Sequence, residues 1–525
     1  MQVPLLVDDF LQRSVTLFSE KTAIVDGDLR FTYAEYGARV NRLSNALLDL
    51  GLTQGDRVCI LSPNSHFFLE SFYATSQLGI ILVPLNYRLI AEDHDYIINH
   101  AGVKAVLVDY EYVGIVDQIR ENLPNVDHWI VAAYEKRDYP GWVDWNSLIA
   151  EYSADAPARP DRDENDLVSI NYTSGTTARP KGVMLTHRNV YINAYSLIAH
   201  FRLVHEDVEL WTLPMFHANG WGGVYALTGT GGTHVVLRTI DPARIFELID
   251  EEEVTFACMA PTVLRTILDY EHKNEHRITT SPRFVVAGAP PPATFIERLE
   301  EELGWHFLQL YGLTETSPFL TFSQVDSLTD KSDYAKRARA GVPGIGIDLQ
   351  LLDDDDQKVP KDGTSIGEVC ARSNVVFKGY WQQQDETDKA MYDGYFHTGD
   401  LAVWDENSNI HIVDRKKDVI ISGGENISSP DIEAVLYQHP AVLECAVIGV
   451  PHDQWGETPI ALVVLRDNDA TTESELIEFC RDNMAHFKCP TSVTFIAELP
   501  RTATGKLQKF KLREEFWQGH RRVNG

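Results

Sequence analysis

"NYTSGTTARPKGV" (residues 171–183) packs Thr173, Ser174, Thr176 and Thr177 around Gly175, then sets Lys181 between Pro180 and Gly182. The run before it, 167–172, reads as a short strand with mixed apolar and polar faces, so the loop leaves the end of a strand. Small hydroxyls, exposed backbone N–H groups and one ammonium suit an anionic ligand. A Walker A loop would need Ser or Thr after its lysine to hold magnesium. Here Gly182 follows Lys181, so that reading fails and the identity of the anion stays open at this point.

Outward from the loop, apolar runs alternate with helical patterns from about residue 20 to residue 320, the mark of α/β layering. "RVCILSP" (57–63), "AVLVDY" (105–110), "HWIVAA" (128–133), "VTFACMAP" (254–261) and "RFVVAGAP" (283–290) read as strands, with helices over 34–50 and 242–252. A Pro- and charge-rich connection, 153–166, delivers the chain to the loop. The acidic stretch 351–363 reads as a solvated hairpin. Residues 401–404 and 410–413 read as two strands joined by a polar turn, which brings Asp400 close to Arg415. On spacing alone that pair is a surface ion pair. After Lys417 a new series begins: a strand over 418–422, a turn at Gly423-Gly424, a helix from Pro430 and a strand over 442–450. These elements describe a separate small domain of roughly 100 residues. The expected fold is α/β, with a large layered α/β N-terminal domain (1–416) and a small α+β C-terminal domain (417–525), which the resemblance drawn below implies is mobile.

Composition narrows the partners. The chain has 525 residues, 44% of them hydrophobic, with 46 basic and 77 acidic side chains and a formal charge of −31. Such a balance disfavours nucleic acid or an anionic membrane as the partner of the whole protein. A local basic pocket can still take an anionic substrate. The six cysteines are scattered without a C-x-x-C pair, so free thiols in a reducing compartment are expected. No signal peptide and no run of ~20 apolar residues is evident, and the cytoplasm is the expected location.

Taken together, five motifs resemble those of the adenylate-forming superfamily of acyl-CoA synthetases, luciferases and peptide-synthetase adenylation domains. "YTSGTTARPKGV" is similar to that family's phosphate loop, "YGLTET" (311–316) to its adenine and metal motif, and "YFHTGD" (395–400) to its ribose motif. "DRKKDVIISGGENISSPDIE" (414–433) resembles its hinge and thiol-side loop, and "PRTATGKLQK" (500–509) its catalytic-lysine motif. The resemblance implies a ligase that uses ATP, Mg²⁺ and CoA. A carboxylate attacks ATP to give an acyl-adenylate and pyrophosphate, and the CoA thiol then displaces AMP. It implies Thr173, Ser174, Gly175, Thr176, Thr177 and Lys181 around the β- and γ-phosphates. Glu315, with Thr173, would hold Mg²⁺. Gly288, Ala289, Pro290, Tyr311, Gly312 and Thr314 would form the adenine slot, and Asp400 with Arg415 the ribose site. Lys506 would be the catalytic lysine and Lys417 the hinge, with Lys416 as the alternative; Gly423 and Gly424 would face the thiol channel.

"LPMFHANGWGG" (213–223) lies where the family builds its acyl pocket. An amino-acid-activating domain has an aspartate there; this chain has Phe216-His217-Ala218-Asn219, which favours a plain carboxylic acid. His217 and Trp221 are four apart and would share a face on a helix. The resemblance places His217 at the substrate carboxylate and Trp221, with Gly222, at the wall of the acyl channel. A short- or medium-chain fatty acid is the leading substrate class. Aryl or methylthioalkanoic acids, or a separate carrier protein as acceptor, are the alternatives. A fused carrier is not expected, because no such sequence follows within the chain. A luciferase-like oxygenase would make the same adenylate, but no motif calls for oxygen. Relatives often form homodimers, though no interface signal stands out in this sequence.

Overall fold

The computed structural model describes every residue except 136, 174–178, 324–329, 423–424, 453, 467–469, 502–506, 515 and 518–525, and the side chains of 425 and 426. Two large sheets face each other across a shared layer of helices. One runs, from edge to edge, Val342–Pro343, Thr321–Ser323, His306–Tyr311, Arg283–Val286, Phe256–Met259, Val208–Trp211, Thr233–Val236, Thr22–Asp26 and Leu29–Thr32. The other runs Gly379–Tyr380, Lys181–Thr186, Leu167–Thr173, Ile81–Leu85, Arg57–Leu61, Ala105–Asp109, His128–Ala132 and Val143–Asp144. The central strands of both sheets are parallel, as expected when helices cover both faces, while Lys181–Thr186 and Thr321–Ser323 pair antiparallel toward one edge of each sheet.

The sequence dictates the shared layer. Helix His66–Ser76 is buried at every position, because most of its side chains are apolar or small all round its axis, while Glu70 is paired with Arg39 and His66 with Asp26. Tyr33–Asp49 starts at a capping box between Thr32 and Glu35, which satisfies otherwise orphaned N–H groups. These helices join Ile24, Trp211 and Phe256 of one sheet to Val58, Ile60 and Leu82 of the other in one core. A second core packs Phe246, Leu264 and Ile296 on the outer face of the first sheet, and a third packs Ile97 and Ile98 on the outer face of the second. The result is five layers, helix–sheet–helix–sheet–helix.

A smaller sheet of Asp348–Leu352, Gly367–Arg372, Tyr395–Trp404, Met391–Tyr392 and Ile410–Arg415 follows. The chain then forms a last sheet from Ile420–Ser422, Glu425–Ile427, Val442–His452, Gly456–Leu465 and Val493–Phe495. Helices Ser429–Leu436 and Glu473–Asn483 close over its own core of Ile432, Leu436, Val447, Val463 and Leu476. Observed strands are shorter at one end than the sequence suggests (420–422 against 418–422), because Asp418 and Val419 turn back with their N–H groups on the Arg415 carbonyl. Contact between this unit and the first outer helical layer includes ion pairs: Glu444 pairs with Arg265 at 3.0 Å, and Arg466 with Asp269 at 3.8 Å. All six cysteines are buried free thiols.

Candidate active site

The C-terminal ends of three strands converge where the sheets meet, the usual location of ligand sites in open α/β sheets. Thr173 ends Leu167–Thr173 and pairs in register with Lys181, which opens Lys181–Thr186. Gly379–Tyr380 adds to the other side of Lys181–Thr186. This places the Tyr380 ring under Lys181, with Nζ 4.9 Å from its centroid. The Tyr380 hydroxyl donates to Glu315 Oε1 at 3.0 Å. Lys181 Nζ lies 2.5 Å from Glu386 Oε2. Hydrogen bonds from Lys181 and Lys389 hold the Glu386 carboxyl down at about 2. Burial, then the charge of Glu315, pushes the Tyr380 phenol up. Glu315 itself is fixed in the turn Thr314–Thr316, its carbonyl accepting the Phe377 N–H at 2.8 Å. Ser174, Gly175, Thr176 and Thr177 lie outside the described residues.

The next group sits at the ends of two adjacent parallel strands, Arg283–Val286 and His306–Tyr311. Tyr311 donates its hydroxyl to Asp400 Oδ2 at 2.8 Å. Burial and then Asp400 push the Tyr311 phenol upward. Asp400 stands opposite Arg415 across the Tyr395–Trp404 and Ile410–Arg415 pair, with Arg415 Nε 3.7 Å from Oδ1. That distance is an ion pair without a hydrogen bond. Asp400 is buried and Arg415 exposed, so the carboxylate is held while the guanidinium can swing. Gly288, Ala289 and Pro290 are exposed beyond their strand, and Gly288 has φ +91°, a left-handed backbone that favours glycine. Gly312 is required for a different reason: a Cβ there would stand 1.5 Å from the Pro318 carbonyl oxygen. Buried Thr314 completes the turn.

Lys417 is half-buried, and burial pushes its ammonium down. Lys416, its neighbour, is exposed and pairs with Asp354 at 3.0 Å and Glu368 at 3.3 Å. Gly423, Gly424 and Lys506 lie outside the described residues.

The third group corrects the sequence reading. His217 and Trp221 do not share the face of a right-handed helix. Ala218, Asn219, Gly220 and Trp221 have φ between 46° and 57°, a left-handed turn, and Gly222 follows at φ +80°. Polar clamps hold this costly backbone. Asn219 accepts from Asn171 Nδ2 at 3.0 Å and donates to Ser169 Oγ at 2.9 Å, while Asn193 donates to the Trp221 carbonyl at 3.1 Å. Side chains at the glycines are excluded: a Cβ on Gly220 would meet the Trp211 ring at 2.4 Å, and one on Gly222 would meet Asn193 at 2.2 Å. Trp221 is buried, and beneath it lies an apolar cavity of about 10 Å³. His217 is half-buried at the mouth of the turn, its N–H on the Pro214 carbonyl at 3.1 Å. Ser169 and Asn171 belong to the strand that ends at Thr173, so one strand ties the Trp221 turn to the start of the "TSGTT" loop.

Sequence reasoning missed Tyr380, Glu386, Ser169 and Asn171. Only the last two carried a signal: polar residues inside an otherwise apolar strand next to the loop.

Comparisons with known proteins place the chain in a family. The family model described as AMP-binding enzyme matches residues 11–381, and the AMP-binding enzyme C-terminal domain matches residues 431–506. The 4-hydroxybutyrate–CoA ligase 2 of Metallosphaera sedula is 37% identical, with 96% of this chain and 93% of that protein covered. The long-chain-fatty-acid–CoA ligase of Thermus thermophilus is 38% identical, with 97% and 95% covered. Among solved structures, an anthranilate CoA ligase in complex with anthranoyl-AMP superposes with a TM-score of 0.90 at 26% identity, covering 98% of both chains. ATP-bound MatB from Rhodopseudomonas palustris gives 0.87 at 30% identity, with 98% of this chain and 99% of that one covered.

Proposed function

The chain belongs to the AMP-binding enzyme family, and from that premise we propose how its residues carry out ATP-dependent acyl-CoA ligation on a short- or medium-chain carboxylic acid. In the first half-reaction the acid's carboxylate oxygen attacks the α-phosphorus of ATP, and the bond to the pyrophosphate oxygen breaks. In the second, the CoA sulfur attacks the acyl carbon, AMP leaves, and the thiol proton goes to solvent.

The carrying observation is the pair of contact chains, Lys181–Tyr380–Glu315 and Tyr311–Asp400–Arg415, with the Trp221 turn tied to the strand that ends at Thr173. The first chain suits the phosphate end of the nucleotide. Lys181 exchanges Glu386 for phosphate oxygens, and the Tyr380 ring keeps the ammonium in place when it does. The second suits the nucleoside end: Gly288, Ala289, Pro290 and Gly312 leave an open edge beside Tyr311 for the adenine, and Asp400 accepts from the ribose hydroxyls. Pre-set hydrogen-bonding groups of this kind lower the barrier by positioning and by charge stabilisation.

The donor set at Glu315 and Thr173 fits a hard divalent cation, since one carboxylate oxygen is steadied by Tyr380 and both residues offer oxygen. When bound, Mg²⁺ supplies charge neutralisation for an anion attacking a polyanion. His217 would face the acid's carboxylate and Trp221 its chain. Lys506 would reach the α-phosphate, and Lys417 would be the hinge between domains 1–416 and 417–525, with Gly423 and Gly424 at the thiol channel. No helix among the described residues is long and apolar enough to cross a membrane; the cytoplasm is the proposed location.

The test is a panel of fatty, aryl and methylthioalkanoic acids with ATP, Mg²⁺ and CoA, read for pyrophosphate and for thioester. Activity with short or medium fatty acids supports the substrate assignment. Turnover confined to aryl acids would replace it.

A further inference from the structure

Two serines tie the small domain to the large one beside Asp400 and Arg415. Helix Ser429–Leu436 is capped by Ser428, whose hydroxyl donates to the Val413 carbonyl at 2.7 Å. Ser429 donates to Asp414 Oδ2 twice, from its hydroxyl at 2.5 Å and from its N–H at 3.3 Å. Val413 and Asp414 belong to Ile410–Arg415, the strand that sets Arg415 opposite Asp400. They precede Lys417, and the serines follow it. Ser428 also comes directly after the paired strands Ile420–Ser422 and Glu425–Ile427, which lie on either side of Gly423 and Gly424. In this orientation those strands are held against the strand that carries Arg415. A turn of the small domain about Lys417 carries the serines away from Val413 and Asp414 and breaks these bonds.

The last helix, Lys509–Glu514, grips the same contact from the other side. Ser429 and Glu433 are four apart and share one face of their helix, and Lys509 reaches both. Its ammonium donates to Ser429 Oγ and stands 2.8 Å from Glu433 Oε1. Glu433 Oε1 also accepts the Val447 N–H at 2.7 Å, which anchors the group to the last sheet. The Ser429 hydroxyl therefore accepts from Lys509 while it donates to Asp414, a relay from ammonium to carboxylate through one oxygen. The Lys509 side chain is 12% exposed. Burial alone would push its ammonium down, but Glu433 and then Asp414 outweigh burial and hold it up, so it stays charged. One turn further along the helix, Arg513 pairs with Asp418, the residue after Lys417. Charges set this deep cost free energy unless every partner is in place, and packing of the helix alone would not require them.

We propose that Lys509 is a positioning residue for the second half-reaction: it holds Ser429 against Asp414, and so keeps the small domain in the orientation that sets its thiol-side strands beside the nucleotide site. This rests on the reading of Lys417 as the hinge and of Gly423 and Gly424 as the thiol side. An equilibrium between two orientations shifts only through contacts that differ between them, and the Lys509–Ser429–Asp414 relay exists in this one. Losing a charge-assisted contact of this kind moves such an equilibrium by about 10-fold or more.

The test separates the half-reactions in the full-length enzyme. The first is read as pyrophosphate release from ATP, Mg²⁺ and an accepted fatty acid without CoA, the second as thioester formation from the matching acyl-adenylate and CoA. In Lys509→Met the second is expected to slow by about 10-fold or more, with the first within about 2-fold of wild type. Ser429→Ala removes the relay hydroxyl without deleting a charge, so it should melt close to wild type and give the same split. Adding it to Lys509→Met should cost little more, because the two act through one contact. Equal slowing of both half-reactions in Ser429→Ala, slowing of pyrophosphate release alone, or no change in either overturns the assignment. Lys417→Pro, which restricts the backbone at the hinge, is the control. If it separates the half-reactions and Ser429→Ala does not, the relay fails and the hinge stands; if it leaves both at wild-type rates, hinge and relay fall together. A wild type that makes no thioester from the acyl-adenylate removes the CoA-ligase reading itself.

Discussion

Replacing Glu209 with glutamine should make the protein more stable, by an amount that grows with pH. Glu209 is fully buried, neither carboxyl oxygen has a hydrogen-bond partner among the described residues, and the folded protein holds this carboxyl near 8 against an ordinary 4.5. Between those values the folded state binds a proton that the unfolded state has lost, so stability falls as pH rises. The loss is absent below about 4.5, grows at about 1.4 kcal/mol per pH unit, and levels off above 8 at about 5 kcal/mol. Glutamine does not titrate. Its own unpaired amide contributes a constant offset, so the slope of the difference belongs to Glu209 alone. From about pH 5.5 to about pH 8 the difference should widen by about 3 kcal/mol. At about 2 cal/mol/K per residue for a unit of some 400 residues, this is about 4 °C in Tm. The assay is a thermal melt of both proteins at constant ionic strength across that range. A Tm difference that stays flat with pH would refute the reasoning, since it would mean the carboxyl is paired or solvated.

Other substitutions probe the remaining site. Asp400→Asn should raise the KM for ATP about 10-fold or more with a smaller change in the KM for the acid; steady-state kinetics with each substrate varied checks this, and equal effects on both would detach Asp400 from the ribose. Trp221→Ala should shift the preferred chain length, read from kcat/KM across a series of fatty acids. An unchanged profile would return Trp221 to a packing role. Lys506→Ala should abolish acid-dependent pyrophosphate release while the melting curve stays that of wild type; full activity would remove this lysine from the mechanism.

What the sequence made legible was whatever is set locally. Asp400 beside Arg415 followed from two apolar runs and a polar turn, because an antiparallel pair fixes its own register. The partition into layered α/β and a final α+β unit followed from alternating runs with their own turns. Long-range contacts were hidden. Tyr311 meets Asp400 across 89 positions, from strands in different sheets, and no periodicity encodes that meeting. Tyr380 acts through a two-residue strand too short to have a pattern. The Trp221 turn misled because residue spacing does not reveal handedness; Gly220 and Gly222 were the only local hints. Nothing in the sequence marks Glu209, whose four-residue strand is too short to carry a pattern; it is buried because helices cover both faces of that sheet.

Two-step acyl-CoA ligation is tested by a single-turnover reaction in which enzyme, ATP, Mg²⁺ and an accepted fatty acid are mixed without CoA, and CoA is added later. One equivalent of pyrophosphate and an enzyme-held acyl-adenylate are expected at the first stage, then conversion of that adenylate to thioester with release of AMP on adding CoA. Pyrophosphate without thioester, or thioester formed with no adenylate before it, would rule out CoA ligation through an acyl-adenylate.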